Sequence, residues 1–397
     1  MINKVWTLGV IFTLLCFTGL SQNDDDVSIK DLIGSENTLK YSVPFLTIAT
    51  DSRAGAMGDV GVATSPDYNS MHWNPSKYAF IESDMGVAVS YTPWLRKLVN
   101  DLNLYNLSLY KRIDKKQAIA ASMLYFDLGN IQFTDFGGAP IGQHNPYELS
   151  LDVAYSRLFS ERFSGGVAFR YIRSDITGGV SISESKTKAA NSVAADVSFY
   201  YVNDDIEVSR RKHTLSVGMN ISNIGTKVSY TEIKKTFLPT NLKLGAAFKY
   251  NIDSYNSITL ALDLNKFLVP TPPVSRNDTI FFGKDDDVAV MQGIIQSFYD
   301  APDGFSEELH EIKYSVGAEY WYANQFAVRA GYFHENKNKG NRRYFTTGAG
   351  VKFNVFTIDF SYLFSVKQNN PLEGTVRFTL GLDLDTVRGQ GKKRRVK

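Results

Sequence analysis

Cysteine is almost absent: the 397 residues contain one, Cys16. It lies inside Met1–Ser21, which reads as a secretory signal. Lys4 supplies the charged start, Leu8–Phe17 the apolar stretch and Gly19-Leu20-Ser21 a small-residue cleavage site. A lipid anchor on Cys16 is disfavoured because Leu15 precedes it where a small residue is wanted. The rest of the chain has no thiol, which excludes disulfides, thiolate metal sites and cysteine nucleophiles together. Long apolar runs are lacking too. Leu8–Phe17 is too short for a membrane span, and no later run resembles a transmembrane helix. A surplus of either charge is also missing: 43 basic against 41 acidic residues leave +2, and nothing argues for nucleic acid.

Catalytic constellations are lacking as well. The five histidines (His72, His144, His213, His310, His334) are scattered. His310-Glu311 and His334-Glu335 have no second histidine four residues after the first, so the zinc-protease pattern fails. No Gly-x-Ser-x-Gly elbow or phosphate-binding loop occurs. Asp285-Asp286-Asp287 lacks the ligand spacing of a helix–loop–helix calcium site. Gly55, Gly58 and Gly61 are spaced wrongly for a dinucleotide fingerprint and follow no clear strand. No catalytic, metal or cofactor residue is nominated, and the chain reads as a non-enzyme.

What the chain has is alternation. From Gly86 to Asp385 it repeats a unit of roughly ten residues with period two, closed by a polar or Gly/Pro-containing break, the pattern of a transmembrane β-barrel. In Thr375–Leu384, Val376, Phe378, Leu380, Leu382 and Leu384 share one face. Phe356–Val366, Ser257–Asn265 and Leu242–Tyr250 keep the same phase. Their other faces mix Asp, Lys, Asn, Thr and Gly, as a wet or plug-filled lumen requires; a soluble β-sandwich is the competing reading. Fourteen strands are expected: Gly86–Tyr91, Leu102–Tyr110, Gln117–Phe126, Tyr147–Phe159, Phe163–Ser174, Ser192–Asn203, Lys212–Ser222, Asn241–Tyr250, Ser257–Asn265, Ile312–Tyr322, Phe326–His334, Tyr344–Asn354, Val355–Val366 and Gly374–Leu384. The count is even, as bacterial single-chain barrels require.

Connection lengths agree with this. Joins after even strands are tight (Lys111–Lys116, Ser160–Arg162, Asn251–Asn256, Ala323–Gln325, Asn354-Val355), with Asp204–Arg211 the loosest. Those after odd strands are long, Lys266–Glu311 the longest, as expected for short periplasmic turns and large outer loops. That loop carries Pro270, Pro272, Pro273 and an apolar run, Val288–Phe298, expected to make a short helix. Aromatic residues near strand ends (Tyr91, Trp94, Tyr110, Tyr171, Tyr250, Tyr320, Trp321, Tyr332) are expected to form interfacial girdles. The organisation reads as signal 1–21, polar lead 22–40, plug 41–85, barrel 86–385 with outer loop 266–311, and a basic periplasmic tail 386–397. The plug is expected to enter from the periplasm and fold back into the lumen, with Asp51 and Arg53 paired to inward groups such as Arg377, Asp383 or Asp359.

Tyr41–Phe80 resembles the N-terminal hatch of the PorV family, outer-membrane proteins of the type IX secretion system related to FadL-type fatty-acid transporters. The matching pieces are Asp51-Ser52-Arg53-Ala54-Gly55-Ala56-Met57-Gly58 and Trp73-Asn74-Pro75-Ser76, with Tyr91-Thr92-Pro93-Trp94-Leu95 in the first outer loop. The resemblance implies an all-β, 14-stranded antiparallel FadL-like barrel in a bacterial outer membrane with a luminal hatch, in contact with lipid and lipopolysaccharide. Asp51, Arg53, Gly58, Trp73, Asn74 and Pro75 would shape the hatch. It also implies a partner role: binding a SprA-like translocon barrel, receiving exported proteins through their C-terminal signal domain, and passing them to a PorU-like sortase complex. Pro93, Trp94, Leu95, Phe281, Phe282 and Ile294 are the candidate rim contacts, because aromatic anchors dominate such surfaces. The alternative is a FadL-type transporter of long-chain fatty acids or other hydrophobic compounds.

Overall fold

The computed structural model describes residues 38–387, apart from 135–136, 180, 183–184, 209, 232–234, 277–278 and 368–369. The expected signal (1–21), most of the polar lead and tail residues 388–397 lie outside the described residues. Fourteen antiparallel strands close into one barrel. In chain order they are β1 Met85–Pro93, β2 Asn103–Arg112, β3 Gln117–Asp127, β4 Tyr147–Ser160, β5 Phe163–Asp175, β6 Ala190–Val208 and β7 Arg211–Gly225, followed by β8 Asn241–Asn251, β9 Asn256–Phe267, β10 Lys313–Tyr322, β11 Phe326–His334, β12 Arg343–Phe353, β13 Phe356–Ser365 and β14 Val376–Asp383. Closure is direct: β1 pairs with β2 and, through Gly86↔Asp383 to Tyr91↔Phe378, with β14. The soluble sandwich is thereby ruled out. No described helix is long and apolar enough to cross a membrane.

Period two explains why these segments are strands. Along β9, Leu260 and Leu262 are exposed on the outer wall while Thr259, Ala261 and Asp263 are buried inside. An apolar outer wall needs lipid, and a closed ladder leaves no unpaired backbone edge within it. The tight joins are built for reversal. Ala323 and Asn324 both take positive φ (52° and 54°), and Gln325 N–H donates to the Tyr322 carbonyl at 2.9 Å, a two-residue turn whose twist matches the strands.

Two expectations change. Asp204–Arg211 is not a loose connection: β6 and β7 stay paired through Ile206↔His213 and Val208↔Arg211, so this hairpin projects beyond its neighbours. Tyr110 does not belong to an outer girdle. It is buried inside, its ring 5.6 Å from that of Tyr78. The outer aromatic ladder instead runs Tyr91, Tyr105, Tyr125 and Tyr147 on four successive strands, with centroid spacings of 5.3, 6.4 and 5.8 Å. Trp321 likewise faces inward, with the Arg329 guanidinium 5.5 Å from its ring.

The chain before β1 lies inside the cylinder. It holds a short 3-10 turn Pro44–Thr47, α1 (Ser52–Ala56), α2 (Ser70–Trp73) and a second 3-10 turn Pro75–Phe80. Its direction differs from the expectation. Ser42 N–H donates to the Phe237 carbonyl and Tyr41 packs on Phe267, both at the long-loop end. Ser83 and Asp84 reach Tyr110 and Asp385 at the tight-turn end. The segment therefore threads the barrel once, from outer mouth to periplasmic end.

Candidate functional site

Two regions stand out: the filled lumen and the outer rim. The plug seats on a wall made for it. On β10 and β11 the inward residues Gly317 and Gly331 face the plug backbone, and on β12 Gly348 faces the Ala56 side chain. A Cβ at 331 would fall 2.0 Å from the Met57 carbonyl carbon, and one at 317 would fall 2.6 Å from the Met57 oxygen. On β7 and β8, Gly218 and Gly245 pair directly and receive Val62. Gly58 has φ 70°, and a Cβ there would meet the Tyr332 backbone at 2.6 Å, so both conformation and space require glycine.

Asp51 caps α1, accepting from the Ala54 N–H at 2.9 Å while its other oxygen accepts from Trp73 Nε1 at 2.7 Å. Trp73 and Asp51 thus tie two turns of the plug together. Arg53 does not pair with Asp359, Asp383 or Arg377. Its Nε and Nη2 donate to both Glu319 oxygens at 3.0 and 2.8 Å, and Nη1 reaches Asp67 at 2.9 Å. Glu319 also accepts from Arg329 Nε at 2.7 Å, and Arg329 Nη1 donates to Asp359 at 2.6 Å. The result is an alternating chain, Asp67–Arg53–Glu319–Arg329–Asp359, shared between plug and wall. Bidentate geometry and near-complete burial (Arg329 and Glu319 are each 1% exposed) make it a directional lock.

Asn74 spends all its valences. Its amide donates to the Val62 and Phe199 carbonyls, both at 3.0 Å, and its oxygen accepts from Ser76 N–H at 3.1 Å, which starts the turn headed by Pro75. Asp263 accepts from the Gly61 and Val62 N–H groups at 2.8 and 3.0 Å. Toward the outer mouth the filling turns apolar: Val43, Phe45 and Leu46 pack with Leu104, Leu124, Phe126, Ile172 and Leu238. Below the plug, at the tight-turn end, a cavity of about 710 Å³ remains, lined by Arg53, Asp67, Arg329, Lys352, Asp359 and Asp383 among others.

The outer rim is organised differently. In the long loop a hairpin (Val274–Arg276 with Thr279–Phe282) precedes α3 (Val290–Gln296) and α4 (Phe305–His310). Beneath it, Lys266 Nζ meets Glu308 and Glu311 at 2.8 and 2.6 Å, and Lys339 meets Glu307 and Glu311 at 2.5 and 3.0 Å. Thr271 Oγ1 donates to Glu311 at 2.6 Å. Burial, reinforced by Glu308 and Glu311 and opposed by the Thr271 N–H, raises the Asp300 carboxyl to about 6. Above this polar floor the loop turns large apolar side chains outward. Phe281 and Phe282 are 61% and 63% exposed, with Met291, Ile295, Phe298 and Phe305 exposed beside them.

The other rim candidates fall elsewhere. Pro93 is buried at the end of β1, Trp94 packs half-buried against the apolar filling around Phe45, and Leu95 is half-buried with φ 48°. Ile294 is half-buried, while its neighbour Ile295 takes the exposed position. The sequence reading missed Glu319, Arg329 and the glycine wall. The available signal was charge and glycine at inward-phase positions of β10 and β11. No group of three or more His, Cys, Asp or Glu suited to a metal occurs among the described residues.

A family model described as type IX secretion system protein PorV matches residues 33–274. No curated protein matches the chain by sequence. Among solved structures, the Pseudomonas putida toluene transporter TodX is similar with a TM-score of 0.45 and 10% identity, over 83% of this chain and 95% of that one. A Pseudomonas aeruginosa FadL homologue gives 0.44 and 11%, over 86% and 99%. The Ralstonia pickettii toluene transporter TbuX gives 0.43 and 10%, over 83% and 96%.

Proposed function

This chain belongs to the PorV family of type IX secretion system proteins, and we propose that it works there as a non-enzymatic outer-membrane subunit. In this reading it binds a SprA-like translocon barrel, takes up exported proteins by their C-terminal signal domain and delivers them to a PorU-like sortase complex. The observation that supports it most is the contrast between bore and rim. The bore is filled by a plug bonded to the wall over its whole length, while Phe281 and Phe282 stand exposed on a braced outer loop. Transport of long-chain fatty acids or other hydrophobic compounds fits less well. The apolar part of the bore is occupied by Phe45 and Leu46, and the cavity below mixes buried charges such as Arg329 and Asp359 with Tyr68, Phe80 and Trp321.

The test is purification of a tagged protein from its native membrane in mild detergent. Recovery of the translocon barrel, or of exported proteins carrying the signal domain, is expected. Phe281→Asp/Phe282→Asp should lose them while the barrel stays folded. Recovery of the barrel alone from the unaltered protein would contradict the proposal.

A further inference from the structure

At the tight-turn end, which faces the periplasm, charge is spread unevenly. The adjoining turns Lys111–Lys116 and Arg157–Arg162 hold six basic residues against two acidic, whereas the projecting hairpin Asp204–Lys212 holds three of each. The acidic residues do not cancel this excess. Asp114 is used within its own turn, accepting from the Lys116 N–H and from Gln117 Nε2, both at 2.7 Å. Arg112 donates to the Glu82 carbonyl at 2.9 Å, and Arg162 reaches across to Asp205 at 3.4 Å. Lys111, Lys115, Lys116 and Arg157 stay exposed, and among the described residues their side chains have no hydrogen-bond or ion-pair partner.

Strand phase decides which way these cations point. Lys111 continues the outward row of Tyr105 and Leu109 on β2, and Arg157 that of Val153 and Tyr155 on β4, all exposed on the lipid-facing wall. Register sets them on either side of β3: Lys111 pairs with Ile119, and Arg157 with Gln117, whose side chain accepts from the Tyr155 hydroxyl. Two strand spacings, about 10 Å, separate their backbones, a gap that side chains of this length close from both sides. Beside Arg157, Gly165 leaves room for the Phe159 ring, since a Cβ there would fall 2.5 Å from it. Phe159 and Phe163 are exposed with their rings 5.8 Å apart, and Phe163 stacks on Phe199 at 5.9 Å. An outward aromatic row at a barrel end marks the level where acyl chains give way to headgroups.

We infer that Lys111, Lys116 and Arg157 form a site for the phosphate headgroup of an anionic glycerophospholipid in the periplasmic leaflet, with its acyl chains along Phe159 and Phe163. Arg157 supplies the planar fork that matches two phosphate oxygens, and the lysines add positive charge on flexible stems. An anion arriving from the periplasm, such as the cell wall, would meet Lys115 and Lys116 at the turn tip. It would not meet Lys111 and Arg157, which lie on the wall among lipid-facing side chains. The site depends on the barrel alone and is independent of the secretion role.

The test is native mass spectrometry of the purified protein, titrated with phosphatidylglycerol or with phosphatidylcholine of the same chain length. Phosphatidylglycerol is expected to bind at least about tenfold more tightly, with the difference shrinking at high salt. Lys111→Gln/Lys116→Gln/Arg157→Gln should abolish the difference. Arg210→Gln/Arg211→Gln/Lys212→Gln, which removes the same charge from the projecting hairpin, should keep it. Equal binding of the two lipids by the unaltered protein overturns the proposal, whether or not the variants fold. So does a preference that the first variant retains, or that both variants lose alike. In a second arm the proteins are sedimented with purified cell wall, and the unaltered protein should bind it no better than the first variant. Cell-wall binding that requires the three cations, without a lipid preference, would overturn the lipid site.

Discussion

The bore and the rim treat charged and apolar side chains in opposite ways. In the bore, charges are locked into an alternating chain from Asp67 to Asp359, and apolar groups fill the outer half without exposure. At the rim, charges are sunk into a floor around Lys266, Lys339 and Glu311, and aromatic groups face solvent above it. The difference separates two jobs. Directional, desolvated ion pairs specify one seating of the plug and are costly to break, since losing one partner leaves an unpaired buried charge. A rigid polar floor under exposed aromatics supplies a pre-ordered surface whose apolar area is still available for burial.

Substitutions that attack the bore should have the largest effect. Gly331→Leu forces a side chain into space held by Met57 and Gly58. The plug should be expelled or the barrel destabilised by about 3 kcal/mol or more, read as protease cleavage within residues 41–84 and a lower urea midpoint. Native-like resistance would show that the plug is seated elsewhere. Next comes Glu319→Gln, which deprives Arg53 and Arg329 of their shared carboxylate. A loss of about 3 kcal/mol is expected, again with faster cleavage of the plug. Equal stability to the unaltered protein would mean that the lock does not hold it.

The rim should respond in a different measurement. Phe281→Asp/Phe282→Asp is expected to leave urea stability within about 0.5 kcal/mol, as for exposed positions, yet to weaken partner recovery by about thirtyfold or more if either residue is an anchor. Loss of stability instead would make these side chains structural and narrow the contrast between the two regions.

The smallest effect is one of pH. The folded Asp300 carboxyl titrates near 6, above its value of about 4 in an unfolded chain. Its contribution to the loop is therefore complete below about pH 4 and is lost as pH rises through 6. Hydrogen exchange in the long loop, corrected for intrinsic rates, should show about tenfold more opening at pH 7.5 than at pH 5. Asp300→Asn should remove the difference. A loop whose opening does not change with pH would contradict the burial assigned to this carboxyl.

The fold was legible because strand phase is a local signal. Leu260, Leu262 and Asp263 show their faces within a few residues, and the asymmetry of tight and long joins fixes which end faces outward. Contacts across the bore were not legible, since they depend on how fourteen strands are staggered. Arg53 and Asp51 were recognisable as plug residues. That Arg53 meets Glu319 follows only from where β10 sits opposite α1. Tyr110 and Trp321 carry the chemistry of interfacial residues, and inward phase overrides it. The entry of the plug at the outer mouth had no local signature, because composition carries no record of the direction in which a segment is threaded.

The most direct test of a filled bore is conductance in planar bilayers, for the intact protein and for a form lacking residues 41–84. The intact protein should show no steady channel current, and the shortened form should conduct through an open barrel. A steady current of open-pore size from the intact protein, unchanged by the deletion, would contradict the account.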